Sequence, residues 1–181
     1  MTPDASFRDA LLAAVPSLRA FAISLSGNID RADDLVQDTL VRAIANAHRF
    51  EPGTNLNAWL FTILRNLFHS EYRKRRREVE DPDGVYAEQL TSQPEQGARL
   101  DFEDFRSALS TLPSEQREAL LLVGASGFSY EETAAICGCA VGTVKSRVNR
   151  ARSRLSGLLH LDAAEDIGPD RITRAALQAA S

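Results

Sequence analysis

The sequence predicts an all-α protein of two small helical domains joined by a flexible acidic linker. Apolar residues recur at spacings of three and four through most of the 181 residues, while alternating β-branched runs are missing. That periodicity lapses from Glu78 to Gln96, where Pro82, Gly84, Pro94 and nearby Gly97 punctuate the chain. A composition of 44% hydrophobic and 25% charged residues is that of a globular protein and argues against wholesale disorder. The expected domains are 7–78 and 103–160, with a linker over 79–102 and a tail over 161–181.

The first helix is expected from about Phe7 to Leu25, with Leu11, Leu12, Val15, Leu18, Ala22 and Leu25 on one stripe and Pro16 kinking or splitting it. Ser26-Gly27-Asn28 makes a turn, and Asp30 is placed to cap a second helix that runs to about His48 and buries Val36, Leu40, Ala43 and Ala47. After Glu51-Pro52-Gly53, Thr54 or Asn55 caps a long third helix. It carries Leu56, Leu60, Ile63, Leu64 and Leu67, surrounded by Trp59, Phe61 and Phe68, and ends in the block Arg73–Arg77. Beyond the linker, Phe105, Leu109 and Leu112 define a helix that stops at Pro113. The next opens at Ser114 and packs Ala119, Leu120, Leu122 and Val123 before Gly124. Ser129 with Glu132 three residues on is a capping-box pattern. The tail offers one more amphipathic stretch through Ile172, Ala176 and Leu177.

Composition narrows the function. No apolar run approaches the ~18 residues of a membrane span. The opening residues carry acids where a signal peptide carries bases. Cys137 and Cys139 cannot form a disulfide framework, so a cytoplasmic protein with no membrane association is expected. The net charge is −4, but its distribution matters more than its sum. Arg73–Arg77 and the set Lys145, Arg147, Arg150, Arg152 and Arg154 hold 10 of the 21 bases, leaving 11 against 25 acids elsewhere. Two concentrated cationic faces on an acidic body suggest a directed contact with phosphate; a plain solvated helix face is the alternative.

From Ser129 to Arg147 the chain has the layout of a helix-turn-helix. Ala134 and Ala135 permit close helix crossing, Gly138 lies at the sharp turn, and Val141 or Gly142 begins a second helix. At about 100° per residue, Val144, Val148, Ala151 and Leu155 form a narrow core stripe. Ser146, Asn149, Arg150 and Ser153 face away from it, with Thr143, Arg147 and Arg154 on one flank and Lys145 on the other. Arginine can fork onto guanine, asparagine can pair with adenine, and peripheral bases can clamp phosphates, so this face suits the major groove. The C-x-C pair with no third ligand nearby is a poor zinc site; Cys137 is expected in the core and Cys139 in the turn.

These motifs resemble the extracytoplasmic-function (ECF) sigma factors of bacterial RNA polymerase over nearly the whole chain. Asp33 to Thr39 resembles that family's polymerase-binding helix, and Asn55 to Asn66 its promoter-melting segment. Leu112 to Glu118 resembles the opening of its second domain, and Gly142 to Arg147 the start of its reading helix. Gly124 to Glu132, followed by Ile136 to Cys139, is most similar to the general-stress-response branch called EcfG. The resemblance implies sigma region 2 over 7–78 and region 4 over 103–160. It also implies that Asp34, Gln37, Asp38 and Val41 dock on the clamp helices of the polymerase's largest subunit, with the polymerase flap as a further contact. An N-terminal dipole effect explains Asp33 and Asp34 but not Asp38.

On the third helix, Asn66, His69, Tyr72, Arg73 and Arg76 are the candidates for stacking on unpaired bases and following phosphate. In the family the preceding loop, here 48–57, captures a flipped base of the −10 element. In similar factors the linker threads the polymerase's active-site cleft; its six acids suit that cationic channel and equally suit a solvated tether. EcfG-like members are held inactive by a small helical anti-sigma factor of the NepR type, which a response regulator of the PhyR type displaces. Two alternatives compete with a sigma factor. A sigma-like mimic that sequesters the anti-sigma factor would not need the basic reading helix. A helix-turn-helix repressor would leave the aromatic-basic third helix unexplained. No nucleophile–base pair, metal set or phosphate-binding glycine loop appears, so no enzyme and no cofactor is expected.

Overall fold

A computed structural model describes residues 5–78 and 98–159, so the linker and tail expectations lie outside the described residues. All regular elements among the described residues are helical. The chain divides into two compact units, Met1–Leu90 and Thr91–Ser181.

In the first unit, α1 (Ala5–Ser26), α2 (Ile29–Ala45) and α3 (Leu56–Glu78) pack pairwise. α1 is continuous through Pro16, which neither ends nor splits it. Local propensity misreads this position because the proline removes one backbone bond from an exposed face, while the stripe Leu11, Ala14, Leu18, Phe21, Ala22 and Leu25 is buried on the other. The stripe is rotated from the expected one: Leu12 is 66% exposed and Val15 is half-buried. By length and composition α1 is also long and apolar enough to cross a membrane, contrary to the sequence expectation, yet here its apolar stripe packs on α2 and α3. Leu18, Leu35, Leu60 and Leu64 are fully buried. Each contributes about 1.5–3 kcal/mol relative to an exposed side chain.

The cap of α2 is Asn28 and not Asp30. Its side-chain oxygen accepts from Arg31 N at 2.9 Å, and Asp30 falls instead in the first turn. α2 ends at Ala45 and a 3₁₀ turn, Ala47–Arg49, follows; Leu40 and Ala47, expected in the core, are only half-buried. The buried set is Ala32, Leu35, Val36, Thr39 and Ala43; the Thr39 hydroxyl donates to Leu35 O at 2.7 Å. Across the α1–α2 pair, Arg19 Nε donates to Asp33 Oδ1 at 2.6 Å. That bond holds the Asp33 carboxyl below its usual range, so its contribution to stability is lost as pH falls through the lowered value.

Asn55 caps α3 through a bond from Ala58 N at 3.2 Å. The core face of α3 is Leu60, Phe61, Leu64, Leu67 and Phe68, whereas Leu56 and Ile63 are half-buried. Phe61 and Phe68 are therefore core members and not surroundings.

The second unit contains α4 (Ala98–Thr111), α5 (Ser114–Gly124), α6 (Tyr130–Cys137) and α7 (Val141–Leu158). α4 begins within the stretch expected as linker. Ala108, Leu112, Ala119, Leu120, Ala134, Val144, Val148, Ala151 and Leu155 make one core cluster, with Val123 only partly buried against it. Glu118 and Thr133 are also buried, which apolar periodicity alone does not foresee. The capping box is formed in both directions: Ser129 Oγ accepts from Glu132 N at 3.0 Å, and Glu132 Oε2 accepts from Ser129 N at 2.9 Å. Gly138 ends α6 at φ 64°, a left-handed conformation that costs a side-chain-bearing residue strain. Cys137 is buried and Cys139 half-buried in the turn.

Candidate nucleic-acid interface

α7 is positioned from both ends of the helix-turn-helix. The left-handed Gly138 redirects the chain, and α7 starts at Val141 after extended Ala140. Val144, Val148, Ala151 and Leu155 are at most 1% exposed, which locks the helix rotation against α5 and α6. Thr143, Lys145, Ser146, Asn149, Arg150, Ser153 and Arg154 consequently face solvent. Lys145 Nζ lies 5.8 Å from the centroid of the Tyr130 ring. Arg147, expected from the sequence among the DNA-binding residues of this helix, differs from its neighbours: its side chain is 20% exposed, Nη2 donates to Glu115 Oε2 at 2.8 Å, and Nη1 lies 3.8 Å from Cys139 Sγ. The sequence places Glu115 only in the opening turn of α5, because a pair so far apart in the chain leaves no local pattern.

A second face forms on α3. Asn66, Tyr72, Arg73 and Arg76 are exposed, and His69 is half-buried with its ring edge-on to Phe68 at 5.4 Å. At about 100° per residue these five fall within a sector of about 120° beside the core stripe. The Phe68 and Tyr72 rings stack at 6.4 Å, so the exposed aromatic stands on a buried one. The loop before α3 is anchored by Phe50, whose ring lies 6.0 Å from Phe7 and 5.5 Å from half-buried Trp59. Thr54 Oγ1 donates to Glu51 O at 2.7 Å and fixes the loop's turn.

On α2, Asp34, Gln37, Asp38 and Val41 are all exposed at spacings of three and four; Val41 is 59% exposed. Asp34, Gln37 and Asp38 border a groove of about 400 Å³ whose other wall is Glu71, Lys74 and Arg75 of α3. Arg31 joins the two helices: Nε is 3.9 Å from Glu71 Oε2, and the guanidinium lies 5.8 Å from the Phe68 ring centroid. Sequence reasoning missed Arg31. A cation in the first turn of a helix opposes the dipole, and that mismatch was the available signal that it serves a neighbour.

The geometry thus defines a two-unit helical protein with a solvated basic face on α7, an aromatic-basic end on α3 and an exposed acidic stripe on α2. Comparison with known proteins fits that class. Residues 12–78 match the model of sigma-70 region 2, and residues 102–155 match sigma-70, region 4. The ECF RNA polymerase sigma factor EcfG of Rhodopseudomonas palustris (strain TIE-1) is 74% identical over 172 residues, 95% of each chain. The sigma factor RpoE of Bartonella quintana, solved in complex with the anti-sigma factor NepR, matches with a TM-score of 0.80 at 59% identity. That match covers 87% of this chain and 99% of the other. CnrH, solved with the cytosolic domain of CnrY, matches with a TM-score of 0.58 at 31% identity, over 85% and 86% of the two chains. The chain belongs to the ECF sigma factors of the sigma-70 family. It is a transcription-initiation factor.

Proposed function

We propose that this sigma factor directs core RNA polymerase to general-stress promoters under the control of a NepR-type anti-sigma factor. In this reading residues 7–78 are region 2, 79–102 the linker, 103–160 region 4 and 161–181 a tail. Asp34, Gln37, Asp38 and Val41 dock on the polymerase. Asn66, His69, Tyr72, Arg73 and Arg76 engage the melted −10 strand. Thr143, Lys145, Ser146, Asn149, Arg150 and Arg154 meet the upstream −35 element, with Ser146, Asn149 and Arg150 at base edges and the others at phosphate. The factor works in the cytoplasm and performs no chemistry itself; catalysis belongs to the polymerase.

The observation that carries the proposal is the exposed α7 face. Seven polar or basic side chains stand clear of a stripe that is at most 1% exposed. A mimic that only titrates an inhibitor has no use for such a face. The experiment is run-off transcription with core polymerase on a panel of stress promoters. Initiation that starts at defined sites supports the proposal. A factor that binds core polymerase and inhibitor but initiates on no template is a mimic.

A further inference from the structure

We propose that Arg147 is a positioning residue and that its ion pair with Glu115 sets the angle at which α7 enters the DNA groove. The inference rests on reading α7 as the recognition helix. Taking the middle of the stripe Val144–Val148–Ala151–Leu155 as the inward direction, Arg147 lies about 70° from it at 100° per residue, whereas Ser146 and Ser153 lie about 170° away. Arg147 therefore leaves α7 toward the protein and not toward the groove. Its side chain is 20% exposed. Nη2 meets Glu115 Oε2 at 2.8 Å, across 32 residues of chain, and Nη1 approaches Cys139 Sγ at 3.8 Å. One guanidinium thus ties three parts of the unit: the first turn of α5, the turn after α6, and the second turn of α7.

The placement of Glu115 points the same way. It sits in the first turn of α5, where the helix dipole favours a carboxylate, and its side chain is 63% exposed. With Arg147 it borders a groove of about 430 Å³ that Thr143, Ser146 and Arg150 also line. An exposed carboxylate beside DNA-facing residues repels phosphate. By charge alone its removal should strengthen DNA binding. Its geometry is instead that of a strut: a planar guanidinium held by a carboxylate resists rotation of α7 about its own axis. Small rotations of a reading helix displace every base-contacting side chain together, so the loss appears as weaker and less selective binding.

The test uses holoenzyme assembled from full-length variants and core polymerase. The probe is a promoter duplex selected by the parent holoenzyme from a library randomised in the upstream element. The proposal expects Glu115→Ala to weaken binding about three- to tenfold although it deletes a negative charge. Arg147→Ala should weaken it by a similar factor. The double variant should be no worse than either single one, and the slope of log affinity against log salt should be the same for all. Arg147→Lys, which keeps one donor for Glu115, should retain more than Arg147→Ala. The swapped pair Glu115→Arg with Arg147→Glu should bind better than either half alone, which separates a strut from loss of folding. The proposal is overturned if Glu115→Ala binds as tightly as the parent or tighter while Arg147→Ala lowers the salt slope by about one, because Arg147 then grips phosphate directly. A parent holoenzyme that selects no upstream sequence overturns the recognition reading itself and the positioning role with it.

Discussion

Arg150 and Arg147 stand three residues apart on one helix, yet their surroundings differ. Arg150 is exposed and lies beside Asn149 on the face turned away from the core, whereas Arg147 is held by Glu115. A free guanidinium at that position can present its two parallel donors to the acceptors of guanine. Arg150→Ala is therefore expected to weaken upstream-element binding by about 1–3 kcal/mol and to relax base preference at one position. Binding measured across a set of single-base variants of the element checks this. A uniform loss on every sequence would assign Arg150 to phosphate instead. Arg152, half-buried on the opposite core-side flank, should when changed to Ala weaken binding without altering preference. The two residue-scale outcomes separate base reading from clamping within a single helix turn.

At the scale of elements, the stripe proposed for docking and the helix proposed to read the upstream element lie in different units. Asp34 and Asp38 lie one turn apart on the exposed side of α2, while α7 is built on the separate core of Ala119, Leu120, Val144 and Val148. Replacing both acids with lysine reverses the charge of the stripe without touching a buried side chain. Asp34→Lys with Asp38→Lys should abolish core-polymerase binding in a pull-down and leave the helical circular dichroism of the chain unchanged. Retained holoenzyme would remove α2 from the docking assignment. The stripe was legible in the sequence because a short amphipathic helix repeats its pattern locally. The same holds for the Ser129–Glu132 capping box, the left-handed Gly138, and the stripe of Val144, Val148, Ala151 and Leu155. What the sequence hid is tertiary. Asn28 and Asp30 are both competent caps two residues apart, and only the packing of α2 against α1 and α3 decides where its first turn begins. Pro16 looks like a break until the buried stripe on the other side of α1 is seen. The pairs Arg31–Glu71 and Arg147–Glu115 join residues with no shared local pattern, and buried Glu118 breaks the apolar rule outright.

For the whole molecule, the decisive property is that each unit buries its own core while leaving some apolar residues exposed or only half-buried. On the first unit Val41 is 59% and Ile44 48% exposed, on the helix that carries Asp34 and Asp38. On the second, Leu121 and Val123 are half-buried, alternating with the buried Leu120, Leu122 and Gly124. Two such surfaces in one chain suit an amphipathic helical partner that lays apolar anchors at helical spacing into both. Such a partner would compete with polymerase directly on the first unit, because Val41 shares its face with Asp34 and Asp38. It would need neither a metal nor a disulfide, and Cys139 would not govern it. We therefore expect a NepR-type inhibitor to protect amides around Asp34–Val41 and around Leu120–Phe128 in the same complex, read by hydrogen exchange with and without it. The second stretch already has Ser126 N bonded to Leu121 O at 2.9 Å and Phe128 N to Leu122 O at 3.0 Å. Protection there should accordingly appear as slower exchange of a turn that opens locally in the free chain. Protection confined to α7, or inhibition that requires oxidised Cys137 or Cys139, would contradict a partner that bridges both units.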